Sequence, residues 1–241
     1  MSARLCAMVA MGALAAPLLG GEAMHDAHGD ADDTGHAMKG HMDDDPLRGM
    51  LRADRLEWQS DGTADRVAWS LDGWIGKDEG RLWIRSDGER SRGRTEESDV
   101  EALWGRPLSP WWDVVAGGRH DFAPAGSRNW AALGLVGIAP YEFEMHLTAY
   151  VGEHGTVALN AEIELDLLLT QRLVLQPRIE TTWLGRRDVA RNEDAGLSKA
   201  AAGLRLRYEI RRELAPYVGV EWSRRGDEDT LAAVAGLRAW L

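Results

Sequence analysis

The sequence has one cysteine, two phenylalanines and, beyond residue 23, no stretch approaching the roughly 18 consecutive apolar residues that a membrane-spanning helix needs. Cys6 falls within residues 1–23, which read as a secretory signal peptide. Arg4 supplies the positive start, Leu5 to Leu19 form an apolar run broken by Gly12 and Pro17, and Gly21-Glu22-Ala23 places small residues at the cleavage positions. A processed chain would carry no thiol, which excludes disulfides and thiolate metal sites. A net charge of −11 with no basic concentration excludes a nucleic-acid partner, because phosphate binding needs a cationic surface. G-x-S-x-G, H-E-x-x-H and a glycine-rich phosphate loop are all missing, so the sequence points away from an enzyme. An exported chain without a spanning helix is either soluble or an outer-membrane barrel.

What is present begins with "MHDAHGDADDTGHAMKGHMDDD", Met24 to Asp45, which holds four of the seven histidines and three of the eight methionines. Residues 24–49 are too polar to build a core and are expected to form a disordered leader. Imidazole nitrogen and thioether sulfur are the neutral soft and borderline donors available without a thiol. Methionine favours Cu(I), histidine suits Cu(II), and zinc seldom recruits thioethers, so the mixture points to a copper ion. His25, His28, His36, Met38, His41 and Met42 are the candidate ligands, and the glycines let the chain wrap an ion. A His-rich polar linker without a metal is the plain alternative.

From about Met50 the pattern changes to alternation. In "YEFEMHLTAYVG", Tyr141, Phe143, Met145, Leu147, Ala149 and Val151 share one face; Glu142, Glu144, His146, Thr148 and Tyr150 share the other. "TVALNAEIELDLLL" repeats the pattern, with Asn160, Glu162, Glu164 and Asp166 opposite an apolar row. Period-2 alternation marks strands, and runs this long match the roughly 9–11 tilted residues that cross a bilayer. Strands are expected at 50–58, 66–76, 81–87, 96–105, 111–121, 129–139, 141–152, 156–169, 172–184, 197–210, 215–225 and 230–241. Twelve is an even number, as a closed bacterial barrel requires.

The expected fold is therefore all-β: a closed antiparallel outer-membrane β-barrel over residues 50–241, behind the leader. A soluble sandwich or lipocalin-like barrel also alternates. Two features favour the membrane barrel: carboxylates in mid-strand, and aromatic residues near strand ends (Trp58, Trp104, Trp112, Trp130, Tyr141, Trp183 and Trp222) as in interfacial girdles. Tight linkers such as "IGKDEGR" and "IRRELAP" alternate with longer charged ones such as "SDGERSRGRTEES". Short turns belong on the periplasmic side, which places the leader there too.

Glu142, Glu144, His146, Glu162, Glu164 and Asp166 are expected to face the lumen on two neighbouring strands. Two readings stay open: an acidic path of weak cation sites, or a salt-bridge network that merely fills the barrel. His120 and His154, near the outer rim, are lesser candidates as entry ligands.

The stretches "LDGWIGKDEGRLWIRSDGER", "PLSPWWDVVAGGRHDFAP", "LLLTQRLVLQPRIE" and "GLRLRYEIRRELAPYVGVEW" resemble the CopB/PcoB copper-resistance protein B family of the bacterial outer membrane. With their spacing they cover nearly everything from Leu51 to Leu241. The resemblance implies copper binding, copper tolerance, and work alongside a periplasmic multicopper oxidase or copper carrier. A non-selective or structural barrel whose leader only buffers metal, and a soluble periplasmic copper chaperone, are the alternatives.

Overall fold

A computed structural model describes residues 46–124, 126–188 and 195–241; the signal and most of the leader lie outside the described residues. Thirteen strand segments follow one another: β1 (Arg48–Ser60), β2 (Asp65–Lys77), β3 (Gly80–Ser91), β4 (Arg94–Ser109), β5 (Trp112–Phe122), β6 (Arg128–Ala139), β7 (Phe143–Gly152), β8 (Val157–Glu164), β9 (Leu167–Leu168), β10 (Leu173–Leu184), β11 (Gly196–Tyr208), β12 (Leu214–Arg225) and β13 (Glu228–Trp240). Each pairs antiparallel with its neighbours, and β1 pairs with β13 from Arg52↔Trp240 to Ser60↔Ala233, which closes the sheet.

Segments β8 and β9 are one strand. Glu164 faces Arg178 and Leu167 faces Leu175, so the register with β10 runs through unbroken. The ladder is interrupted because Pro177, having no N–H, can only accept from Leu165, at 3.2 Å. Among the described residues the barrel thus has twelve strands, as the alternation implies, and the first begins at Arg48.

Alternation sorts the two surfaces. Leu51, Val67, Ile84, Leu133, Leu147, Ile179, Val218 and Leu231 are exposed on the outside. Trp58, Trp183 and Trp222 stand near one end and Trp104, Trp111, Trp240 and Tyr141 near the other, giving two outward aromatic bands. Trp130 departs from the expected girdle. It shares the inward parity of Ala132 and Val136, is buried, and donates its indole N–H to Asp121 at 2.9 Å.

The expected long loop over "SDGERSRGRTEES" is instead a continuous hairpin. β3 and β4 stay paired as far as Ser91↔Arg94, and Arg92 and Gly93 turn the chain with φ of 49° and 80°, as in type I′ hairpin turns. Turns at both ends are consequently short, apart from the connection between Leu184 and Gly196. The β1–β2 turn is closed by Asp61, whose carboxylate accepts from the Thr63 hydroxyl at 2.6 Å and from the backbone N–H groups of Ala64 and Thr63 at 2.9 and 2.8 Å. These donors hold its carboxyl well below the usual range.

Where β4 and β5 approach closely, Gly117 leaves no room for a side chain. A Cβ there would lie 2.1 Å from the Ala102 carbonyl oxygen, whereas at Gly118 the nearest atom is 3.6 Å away. Gly117→Val should therefore lose the folded, heat-modifiable band on gels, while Gly118→Ala should keep it.

Candidate functional site

Inward residues fall into two contrasting walls. Toward the end that carries the termini, Trp83, Leu103, Val115 and Val136 are fully buried on β3–β6, with Trp74 packed against them. The opposite wall is charged. It owes part of its density to a bulge in β1, where the register slips between Ala53 and Arg55 and buries both Asp54 and Arg55.

The residues expected to line the lumen come together, with one exception. Glu144 on β7 faces Glu164 on β8 in register, and the next inward pair is His146 opposite Glu162. Across the following strand, Glu164 faces Arg178 and Glu162 faces Glu180. Gln176 donates to Glu164 at 2.6 Å and to Asp166 at 3.0 Å, and Arg207 donates to Asp166 at 2.6 Å. His146, Glu162 and Glu164 are buried. Oε2 of Glu144 has no hydrogen-bond partner. Directly opposed carboxylates repel, so the Glu144–Glu164 pair favours a cation or a shared proton beside it.

Glu142 is the exception. It belongs to the short 3-10 turn Pro140–Glu142, where Tyr141 and Glu142 take φ of 67° and 65°, and it is exposed rather than lumenal. His25, His28, His36, Met38, His41 and Met42 lie outside the described residues, as does the side chain of His154. His120 is on the outer face near the rim, where Asn129 holds its Nδ1 at 2.6 Å.

The acidic row begins near the end of the barrel at which β1 starts. Glu144 is the second residue of β7, which starts at the same end as β1. Farther in, guanidinium groups clamp the carboxylates. Arg178 donates to Glu162 at 2.5 Å and Glu180 at 2.6 Å; Arg205 donates to Glu57 at 2.7 Å and Glu221 at 2.6 Å.

A second acidic array was not anticipated. Asp87, Asp99 and Asp121 face one another in register on β3, β4 and β5, all buried, and Arg119 bridges Asp99 at 3.0 Å and Asp121 at 2.5 Å. Beside it runs a row of alternating sign: Arg52, Asp72, Arg85, Glu101 and Arg119, one on each strand from β1 to β5. Its signal was the period-2 spacing of Asp87 and Glu89, then Glu97, Asp99 and Glu101, within a segment whose charge suggested a loop.

Among the described residues no three His, Cys, Asp or Glu side chains converge to hold a metal ion. The lumen offers single and paired carboxylates with one imidazole, a donor set suited to transient, oxygen-preferring cation contacts.

Removing one partner of a buried ion pair leaves an uncompensated charge. Arg178→Met should lower unfolding stability by about 3–5 kcal/mol. Adding Glu162→Gln and Glu180→Gln to it should recover much of that loss, as read from urea titrations of the barrel in lipid vesicles.

Comparison with known proteins accords with this architecture. A family model described as Copper resistance protein B precursor (CopB) matches residues 47–240. Copper resistance protein B of Escherichia coli is 43% identical over 217 residues, covering 85% of this chain and 73% of that protein. A Copper resistance protein B homolog of Pseudomonas syringae pv. tomato is 46% identical over 215 residues, covering 84% and 73%. Among solved structures, the NanC porin aligns with a TM-score of 0.56 at 12% identity, over 80% of this chain and 99% of that one. The KdgM porin aligns with a TM-score of 0.52 at 9% identity, over 80% and 98%; both likenesses concern the fold alone. The chain belongs to the copper resistance protein B family, with a role in copper resistance carried on an outer-membrane-type β-barrel.

Proposed function

We propose that this protein is a non-enzymatic copper handler of the outer membrane, with both termini and the leader on the periplasmic side. In this reading residues 1–23 are removed on export, the metal-binding leader runs from residue 24 to the start of β1 at Arg48, and the barrel follows. His25, His28, His36, Met38, His41 and Met42 capture copper ions. A flexible segment of this length has a root-mean-square reach of about 25 Å. It is tethered at Arg48, beside the mouth onto which Glu144, Glu164 and Asp166 open.

Captured ions then exchange with the lumenal row, moving from Glu144, Glu164 and Asp166 to His146 and Glu162. The observation that carries this reading is the stacking of Glu144–Glu164 and His146–Glu162 in adjacent inward registers at the leader's end of the barrel. Conduction needs sites that bind and also release, and paired carboxylates without a closed chelate meet that need. Soft donors in the leader suit Cu(I) and the harder lumen suits Cu(II), and a periplasmic multicopper oxidase or copper carrier is the partner this reading implies.

A second reading rests on the clamped arginines and the fully buried apolar wall: the barrel as a structural or non-selective support whose leader only buffers metal. Two measurements separate the readings. Copper stoichiometry should fall when residues 24–45 are deleted from the processed protein; equal binding with and without them removes the leader from the mechanism. Copper flux into vesicles should drop in Glu144→Ala and His146→Ala, whereas flux of all small ions unaltered by either change supports the second reading.

A further inference from the structure

At the end of the lumen remote from the termini, one ion pair crosses the barrel. Lys199 on β11 donates to Glu97 on β4 at 2.8 Å, and Arg225 on β12 approaches the same carboxylate at 3.5 Å. In the ring of twelve strands β4 and β11 lie diametrically opposite each other. Most other lumenal ion pairs join neighbouring or nearby strands, such as Arg178–Glu162, Arg52–Asp72 and Arg119–Asp99. The Glu97–Lys199 pair runs from wall to wall.

Both ends of this strut are positioned by sheet geometry. Glu97 follows the bulge at Glu96, where the β3–β4 register slips, and it shares the inward parity of Asp99 and Glu101. Lys199 stands opposite Thr182, beside the bulge between Thr182 and Trp183 in the β10–β11 pairing. Two bulges on facing walls therefore aim the two long side chains at one another. Both are largely shielded, with side-chain exposures of 24% and 11%.

Glu97 and Lys199 line a cavity of about 80 Å³ together with Asp99, Asp121, Trp130 and Tyr150, and Arg225 lines a second, of about 220 Å³, together with Arg55, Arg66, Glu89 and Glu221. The first is acidic and aromatic; the second mixes both charges.

We infer that Glu97 and Lys199, with Arg225 in support, form a selectivity strut that sets the size and charge of the ions passing the remote mouth. A cation entering on the acidic side meets Glu97 already neutralised by Lys199 and must compete for it. A bulky ion finds two narrow openings in place of one wide one. The inference rests on the lumen being a route for ions, as in the reading above, and does not depend on copper being the ion.

Planar-bilayer conductance of the full processed protein tests it, with potassium and tetramethylammonium as probe cations. Lys199→Ala should merge the two openings, raising potassium conductance by about twofold or more and admitting tetramethylammonium. Glu97→Gln, which keeps the shape and breaks the charge pair, should shift the same readouts in the same direction, while Lys199→Arg should resemble the parent. Heat-modifiable mobility confirms that each variant is folded; because Glu97→Gln is nearly isosteric, it keeps the test open if Lys199→Ala fails to assemble. Conductance and cation preference unchanged in folded Lys199→Ala and Glu97→Gln, including no conductance in any of them, overturns the strut. If the strut variants open the pore but Glu144→Ala leaves copper flux untouched, the copper path fails and the strut stands.

Discussion

In hydrocarbon no water is available to hydrogen-bond a backbone N–H or carbonyl, so a strand inside a bilayer must be paired along both edges. The rest of this structure depends on that requirement. The sheet has to close, which it does through β1 and β13, and closure fixes which side of every strand faces lipid. Apolar residues then occupy the outer parity, and the charged residues of the strand middles are driven to the lumen. The interior chemistry is thus a consequence of the exterior solvent.

A narrow lumen filled with charge creates its own difficulty. Desolvated carboxylates are tolerated only beside cations, and this barrel supplies mainly arginine, whose planar fork serves two acids at once. Arg119, Arg178 and Arg205 each bridge two carboxylates. On β3–β6 the difficulty is avoided near the termini by an apolar inner wall. Near the termini the lumen is therefore lopsided: apolar packing stiffens one side while ion pairs line the other.

The leader extends the same logic into water. Its donors are neutral histidines and methionines carried among aspartates and glycines, whereas the lumen is mostly carboxylate. Under the proposed function, capture and passage would fall to different donor chemistries. Membership of the copper resistance protein B family gives the chain a role in copper resistance.

Alternation made β7 and β8 legible from sequence, and with them the registers that pair Glu144 with Glu164 and His146 with Glu162. It misled at Glu142, because Pro140 and two left-handed residues hold off the start of β7 until Phe143, after the pattern in the letters has begun. Trp130 resembled a girdle residue by its place at a strand end, but parity with Ala132 and Val136 decides its direction. Strands at 81–87 and 96–105 were legible, but their continuation through 88–95 was not, because dense charge ordinarily marks a loop; inside a barrel the inward parity demands such charge, and Arg92-Gly93 is the turn. Bulges at Asp54 and Glu96 left no sequence signature, so the clustering of Asp54 with Arg55 and the aim of Glu97 across the lumen emerged only from the structure.

The central claim is that one parity of each strand touches lipid and the other faces the lumen. Because the processed chain would have no thiol, single cysteines placed along Phe143–Gly152 and given a fluorophore report this directly through quenchers carried on lipid chains. The account predicts strong quenching at positions 145, 147, 149 and 151 and weak quenching at 144, 146, 148 and 150. Quenching that is uniform along the segment, or absent throughout, would contradict it.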